Sequence, residues 1–234
     1  MMNKYGKHIG IVACSAEGAA LCYRTICIEG AAVLGKHSHP EITMHTFPLK
    51  WYERYIEMGD WNAVGNLMAR SADKVEKAGA DFVICPDNTI HQAFDQAVEK
   101  SKIPWLHIAE IVANEALRQN YKRVGVLGTR FLMQGPVYAT KLAVQGIDYL
   151  IPTAEERKYI NRIIFDELVN GRFIVASRNY FTKIIDRLKS QGCDAVILGC
   201  TEIPLIVSQE NSSLPTLDST RLLARAALKR AVTP

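Results

Sequence analysis

The sequence of 234 residues has no long apolar run and no strong excess of either charge. No stretch approaches the roughly 18 consecutive apolar residues of a membrane-spanning helix, and residues 1–10 contain no signal-peptide core. Lys and Arg total 28 against 24 Asp and Glu, and the net charge of +4 is scattered along the chain. Because nucleic-acid binding needs a clustered basic surface, such a partner is not expected. We predict a cytoplasmic protein that binds neither membranes nor nucleic acid.

Cysteine pairs of the Cys-x-x-Cys type are also missing, although the chain has six cysteines. A cytoplasmic protein keeps its thiols reduced, so neither a disulfide framework nor a zinc ribbon is expected, and no metal is predicted. For Cys22, Cys27 and Cys193 we expect the role of a small buried hydrophobic side chain. Residues 10–15 lack the Gly-x-Gly-x-x-Gly spacing, which argues against a nucleotide-binding Rossmann protein.

What the sequence does contain is the composition of a folded globular protein, with 48% hydrophobic and 22% charged residues. It also contains an internal repeat of three short segments that recur in the same order. The matching pairs are residues 7–12 with 122–127, 79–84 with 192–197, and 103–106 with 214–217. Because the spacing is nearly constant, we infer a duplicated half of roughly 110 residues.

Within each half, short runs rich in Val and Ile alternate with longer segments of helical period. This is the pattern of a parallel sheet covered on both faces by helices. The predicted strands lie near residues 8–14, 42–47, 81–86, 104–107, 123–128, 147–151, 194–199 and 215–217. Helices fill the gaps: Asp60 is placed to cap one that ends at Gly79, and Thr153 with Glu156 has the spacing of a capping box.

We therefore predict an α/β protein of two pseudo-symmetric three-layer lobes, each with a four-stranded parallel sheet flanked by helices. The first lobe is expected at residues 1–107 plus 217–234 and the second at residues 108–216. Ligands of open parallel sheets bind beyond the carboxyl ends of the strands, where loops and helix N-termini present unpaired N–H groups. The active site is accordingly expected in the cleft between the lobes.

The repeated Gly-x-Asp-x-Val-Ile strand indicates which residues reach that site. The residues that follow it are Asp87-Asn88-Thr89 in the first half and Cys200-Thr201-Glu202 in the second. Asp87 and Cys200 occupy equivalent positions after the repeated strand. Two lobes related by a pseudo-twofold axis would each supply one acid–base group, which suits proton transfer on opposite faces of one carbon.

These residues resemble the aspartate/glutamate racemases, cofactor-independent enzymes whose two α/β lobes each supply one cysteine. The family's second signature, Gly-Cys-Thr-Glu followed by a proline, stands intact at residues 199–204. Its first, Cys-Asn-Thr with a histidine soon after, reads Asp87-Asn88-Thr89-Ile90-His91, with aspartate in place of the cysteine. The N-terminal motif is only partly kept at residues 13–19. The resemblance covers almost the whole chain and implies a homodimeric amino-acid racemase of aspartate, glutamate or a related small acid, with no cofactor.

The resemblance also implies individual roles. Cys200 is expected to be the thiolate that removes or returns the α-proton on one face, favoured by a helix N-terminus and nearby hydroxyl donors. Asn88, Thr89 and Thr201 are expected to hold the substrate's α-carboxylate. The remaining candidate substrate contacts are Ser15 and Glu202 near strand ends, and Lys50 and Arg172 as a clamp for the side-chain carboxylate.

Asp87 leaves three functions open. The chain is a racemase with an unlike acid–base pair, a one-thiol decarboxylase or isomerase of small dicarboxylates, or a non-catalytic relative in which Asp87 binds an ammonium group. In each case Asp87 can also be the N-cap of a helix that runs to Glu99. His91, one helical turn later, orients the carboxylate, faces the cleft or is a structural histidine.

Overall fold

A computed structural model describes residues 6–233 of the chain. The described residues divide into two compact units. The first runs through Ile108 and resumes at Thr220, and the second is Ala109–Ser219. Each unit contains one four-stranded sheet in which all neighbouring strands are parallel. Across residues 6–233, no helix is long and apolar enough to cross a membrane.

The sheet of the first unit has the order β2-β1-β3-β4. Its strands are β1 (Ile9–Ala13), β2 (Ile42–Thr46), β3 (Phe82–Ile84) and β4 (Trp105–Leu106). The helices are α1 (Ala16–Leu34), α2 (Leu49–Glu57), α3 (Trp61–Lys77) and α4 (Phe94–Glu99), with a 3₁₀ helix at Thr89–Ala93 before α4. Asp60 accepts the Ala63 N–H at 2.9 Å, so the predicted cap of α3 is confirmed.

The sheet of the second unit has the same order, β6-β5-β7-β8. Its strands are β5 (Arg123–Leu127), β6 (Asp148–Leu150), β7 (Ala195–Leu198) and β8 (Thr216–Asp218). The helices that follow Leu106 are α5 (Ile108–Arg118), α6 (Arg130–Gln134), α7 (Pro136–Val144), α8 (Ala154–Asp166), α9 (Val175–Ser190) and α10 (Ser219–Val232). Three 3₁₀ helices lie at Leu168–Asn170, Ile203–Leu205 and Gln209–Asn211. The predicted capping box of Thr153 and Glu156 is present at the start of α8.

All eight predicted strands form, and the two sheets share one strand order. The predicted α/β class with two four-stranded parallel sheets is therefore confirmed. The boundary between the units differs from the expected one by a few residues. Because β8 is hydrogen-bonded to β7, the second unit extends to Ser219 and not only to residue 216.

The repeated Gly-x-Asp motif ties together the amino ends of two strands in each unit. Asp81 accepts the N–H of His8 at 2.7 Å, and Asp194 accepts those of Lys122 and Arg123 at 2.7 and 3.0 Å. These two N–H donors lower the pKa of Asp194. The backbone N–H groups at the amino end of a strand find no acceptor in the parallel ladder. The aspartate carboxylate supplies that acceptor. This is the physical reason why the motif recurs in both halves.

The glycine of the first repeated segment also has the same packing role in both units. A Cβ at Gly10 of β1 would lie 2.7 Å from Val75 of α3, and one at Gly125 of β5 would lie 2.7 Å from Leu188 of α9. Both distances are too short for a real side chain, so the glycine lets a helix lie directly on the central strand. Each sheet thereby packs directly against a long amphipathic helix. The loops at the carboxyl ends of its strands begin from this packed sheet.

Candidate active site

In the second unit, the residues after β7 bring a thiol and a carboxylate into direct contact. The Cys200 thiol donates to Glu202 Oε2 at 2.9 Å, and the Thr201 hydroxyl donates to the same oxygen at 3.2 Å. Cys200 is 7% exposed and Glu202 only 2%. A nucleophilic sulfur is therefore held beside a buried proton acceptor at the carboxyl end of the central part of the sheet.

The path of the chain into this loop requires Gly199. The Gly199 N–H donates to the Leu127 carbonyl at 2.7 Å, which brings the backbone against the end of β5. A Cβ at this position would lie 2.8 Å from the Leu127 oxygen and 2.7 Å from the Leu132 side chain. Only glycine fits this close approach, so the Gly-Cys dipeptide places Cys200 at the immediate end of the strand.

Glu202 is buried, and only one of its two carboxylate oxygens is hydrogen-bonded to described residues. Its Oε1 atom makes no hydrogen bond within the described part of the chain. Leaving a buried polar atom unpaired costs about 1–3 kcal/mol, and more for a charged group. Glu202 is therefore a buried side chain and not a solvated one. Its unpaired oxygen has the chemistry to receive a donor from a ligand.

The expected support from a helix N-terminus at Cys200 is not found. The element that follows is the 3₁₀ helix Ile203–Leu205, which has only three residues and begins with the Ile203 N–H donating to the Cys200 carbonyl. So short an element has little macrodipole. The Thr201 hydroxyl is directed to Glu202. The Glu202 carboxylate is one hydrogen-bond partner that the structure does provide for this thiol.

In the first unit, Asp87, Asn88 and Thr89 follow β3 at the equivalent place. Asp87 is half-buried and its Oδ1 accepts the Ile90 N–H at 3.2 Å, while Asn88 and Thr89 are buried. Asp87 therefore accepts a hydrogen bond from the first turn, as a cap does, but the N-cap position predicted for it is occupied by Asn88. The single helix expected to run to Glu99 is wrong, because the segment begins as the 3₁₀ helix Thr89–Ala93 and becomes α-helical only at Phe94.

The other predicted substrate contacts differ in their surroundings. Ser15 stands at the N-cap position of α1, but its side chain makes no capping bond, and its buried Oγ has no hydrogen-bond partner within residues 6–233. Lys50 lies exposed in the first turn of α2. Arg172 lies exposed after Gly171, which has a φ of 68°. Neither of these basic side chains forms an ion pair with another described residue.

The remaining cysteines differ from Cys200 in their environment. Burial raises the pKa of Cys193 and raises that of Cys85 strongly, and Cys22 is fully buried. The expectation that Cys27 is buried is wrong, because it is half-exposed on α1. Its pKa is raised by partial burial, and a hydrogen bond with Tyr23 opposes that effect. Cys27 is therefore the accessible thiol that any labelling experiment must control.

Tyr52 of α2 is a residue near the candidate site that sequence reasoning missed. Its side chain is 0% exposed, and its hydroxyl has no hydrogen-bond partner in the described chain. Burial raises its pKa well above the ordinary value, and neighbouring Cys14, Cys85 and Asp87 raise it further. An isolated tyrosine in an amphipathic helix carries no sequence signal for such a position. The phenol is an unpaired donor close to the loop that carries Asp87.

Tyr52→Phe should stabilise the protein by about 1 kcal/mol, because it removes a buried hydroxyl that pays a desolvation cost without a bond. The matched control is Tyr138→Phe in the second unit, where the tyrosine is equally buried but hydrogen-bonds to Ser219. That variant should lose about 1 kcal/mol. Urea unfolding of both variants measures the difference. A Tyr52→Phe protein that is less stable than the wild type would show that the hydroxyl is partnered in solution.

Comparison with known proteins gives one consistent result. A family model described as Asp/Glu/hydantoin racemase matches residues 9–227. A candidate Asp/Glu racemase from Yersinia pestis is 31% identical and covers 97% of this chain and 100% of that chain, with a TM-score of 0.87. An aspartate racemase homologue from Pyrococcus horikoshii is 28% identical with the same coverages and a TM-score of 0.83. A broad specificity amino-acid racemase from Bacillus subtilis is 25% identical over 191 residues, 81% of each chain.

Proposed function

The chain belongs to the Asp/Glu/hydantoin racemase family, and from this premise we propose that it racemises aspartate, glutamate or a related small acid without a cofactor. The observation that carries the proposal is the buried contact between the Cys200 thiol and Glu202 Oε2 at 2.9 Å. A thiol next to a proton acceptor can cycle between S–H and thiolate, as proton abstraction at an α-carbon requires. Cytoplasmic location remains a prediction from the sequence, and a homodimer remains a prediction of the family resemblance.

In the proposed reaction, Cys200 is one of the two acid–base groups. At rest the proton lies on sulfur, which donates it in a hydrogen bond to Glu202 Oε2. Transfer of that proton to Glu202 forms the thiolate. The thiolate then takes the α-proton: an S–H bond forms, the C–H bond breaks, and the electron pair is delocalised into the substrate's carboxylate. The first role of Glu202 is thus to accept the proton of the Cys200 thiol, whereas the resemblance implies only a contact with substrate.

Asp87 is proposed as the second acid–base group, in the position where the family has its other cysteine. In its protonated form, Asp87 donates a proton to the opposite face of the α-carbon and becomes a carboxylate. Cys200 then holds the proton taken from the substrate. Glu202 releases to water the proton that it received from Cys200, and Asp87 takes a proton back from water, which restores all three groups. In the reverse direction the two exchange roles, as microscopic reversibility requires. The support for this assignment is the equivalent place of the two residues in the duplicated units.

The remaining residues are proposed to bind substrate. Asn88, Thr89 and Thr201 would hold the α-carboxylate, and the unpaired Ser15 Oγ offers a further donor. Glu202 Oε1, which has no partner among the described residues, can accept a hydrogen bond from the substrate's ammonium group. Lys50 and Arg172 are exposed cations without ion pairs to described residues, and we propose them as the clamp for a side-chain carboxylate.

A second function, decarboxylation or isomerisation of small dicarboxylates by one thiol, is favoured by one observation. Asp87 Oδ1 already accepts the Ile90 N–H, so this residue has a structural role that does not depend on catalysis. A single thiol is enough to protonate a carbanion left by loss of CO₂. In that case Asp87 would be a structural residue only.

Isotope exchange separates these functions. Unlabelled L- and D-aspartate and glutamate would be incubated with the protein in D₂O, and α-deuterium incorporation followed by NMR, with product chirality determined by chiral chromatography. Exchange with inversion supports the racemase. Release of CO₂ from a small dicarboxylate without exchange supports the one-thiol enzyme. Saturable binding with neither reaction would make the chain a non-catalytic amino-acid binder and overturn the proposal.

A further inference from the structure

His91 is a buried histidine whose two ring nitrogens both contact backbone groups. It lies in the 3₁₀ helix Thr89–Ala93 and is 4% exposed. Nδ1 lies 2.6 Å from the Asp87 carbonyl oxygen, and Nε2 lies 3.3 Å from the Ile108 backbone nitrogen. The ring therefore joins the loop after β3 to Ile108, which lies just after β4.

These two contacts determine where the ring proton lies. A carbonyl oxygen can only accept, so Nδ1 carries the hydrogen and donates it to Asp87. The Ile108 N–H can only donate, so Nε2 accepts it with its lone pair. His91 is therefore neutral and in the Nδ1–H tautomer. Because both nitrogens bond to backbone, the ring is not an acid–base group for a substrate in this arrangement.

Aromatic neighbours fix the plane of the ring. Phe94 stacks on His91 with ring centroids 5.3 Å apart and an interplanar angle of 12°. His107 meets it edge-on at 4.8 Å. A ring that is held on its faces and bonded at both nitrogens cannot rotate without losing several contacts at once. The Asp87 carbonyl is thus attached to a rigid group.

We propose that His91 is a positioning residue, which holds the backbone of Asp87 and so orders the Asp87-Asn88-Thr89 loop for the reaction. This inference rests on the proposed function, in which the loop supplies one acid–base group and two substrate contacts. The Asp87 side chain is held by its own turn through Ile90, and its carbonyl is held by His91. A misplacement of catalytic groups by about 1 Å can cost on the order of 100-fold in rate.

Two substitutions separate the hydrogen bond to Asp87 from the rest of the ring. The side-chain amide of His91→Asn reaches approximately the place of Nδ1 and can donate to the Asp87 carbonyl. The longer amide of His91→Gln reaches toward Nε2 and can accept from Ile108. Both variants lose the aromatic contacts equally. We expect His91→Asn to keep kcat/KM for α-proton exchange within about 10-fold, and His91→Gln to lose on the order of 100-fold.

His8→Asn is the matched control. His8 is also a buried, hydrogen-bonded histidine, with Nε2 2.9 Å from Thr43 Oγ1, but it precedes β1 at the amino edge of the same sheet. This variant should lose stability without a change in kcat/KM. If both His91 variants lose only stability and keep wild-type kinetics, His91 is a structural histidine and the inference is wrong.

A second readout does not depend on activity. Amide hydrogen exchange of the peptide that spans residues 85–92, measured by mass spectrometry, should be faster in His91→Gln than in the wild type and nearly unchanged in His91→Asn. If the wild type exchanges no α-proton but this difference is found, the proposed function fails and the positioning role stands. Equal protection in all three proteins would overturn the positioning role itself.

Discussion

Replacing Cys200 by serine should abolish α-proton exchange, with a loss of turnover of about 10²–10⁴-fold or more. The serine hydroxyl is not deprotonated at neutral pH, so it cannot act as the base that the thiolate provides. It can still donate to Glu202 Oε2, so the buried hydrogen bond of the wild type is kept. The melting temperature and substrate binding should therefore remain close to wild type. Exchange kinetics, thermal unfolding and calorimetry measure these three quantities separately.

Cys22→Ser is the matched control, because Cys22 is a buried cysteine in the first unit that the proposed chemistry does not use. It should lose stability by placing a hydroxyl in an apolar site and leave the kinetics of the folded protein unchanged. Alkylation provides an independent check in a Cys27→Ser background, which removes the half-exposed thiol of α1. The first modified residue should be Cys200, with protection by substrate. Full activity of Cys200→Ser would rule out the thiol mechanism.

Asp87→Asn should remove the second acid–base group and lose about 10²–10⁴-fold in racemisation. The amide oxygen can still accept the Ile90 N–H, so the cap of the 3₁₀ helix and the stability should hardly change. Asp87→Cys is the complementary variant. It restores the pair of thiols that the family resemblance implies, and should create or raise racemisation of aspartate or glutamate. Both variants are assayed by deuterium exchange together with product chirality.

The outcome for Asp87→Asn decides between the two functions. If this variant keeps full activity on the true substrate, Asp87 is only a cap. The one-thiol enzyme then replaces the racemase with an unlike pair. If activity is lost and the melting temperature falls strongly as well, the Asp87→Cys variant decides, because a gain of racemisation requires the position to be in contact with substrate.

The sequence by itself determined the fold class, the duplication and the position of the strands. These follow from local patterns: alternation of apolar runs with helical periods, the repeated Gly-x-Asp segment, and caps such as Asp60 and the Thr153–Glu156 box. Such patterns are readable because each depends on residues close together in the chain. The sequence also identified Cys200 and Asp87 as equivalent residues at the ends of equivalent strands.

Only the tertiary structure decided which atoms these residues contact. That Glu202 is buried against the Cys200 thiol, that Tyr52 has an unpaired hydroxyl, and that His91 joins Asp87 to Ile108 depend on side-chain directions and on contacts across the sheet. The 3₁₀ start of the segment after Asp87 and the exposure of Cys27 were likewise not predictable. A periodic pattern specifies which face of an element is buried, but the hydrogen-bond partner of a polar atom is chosen by the packed surroundings that the whole fold creates.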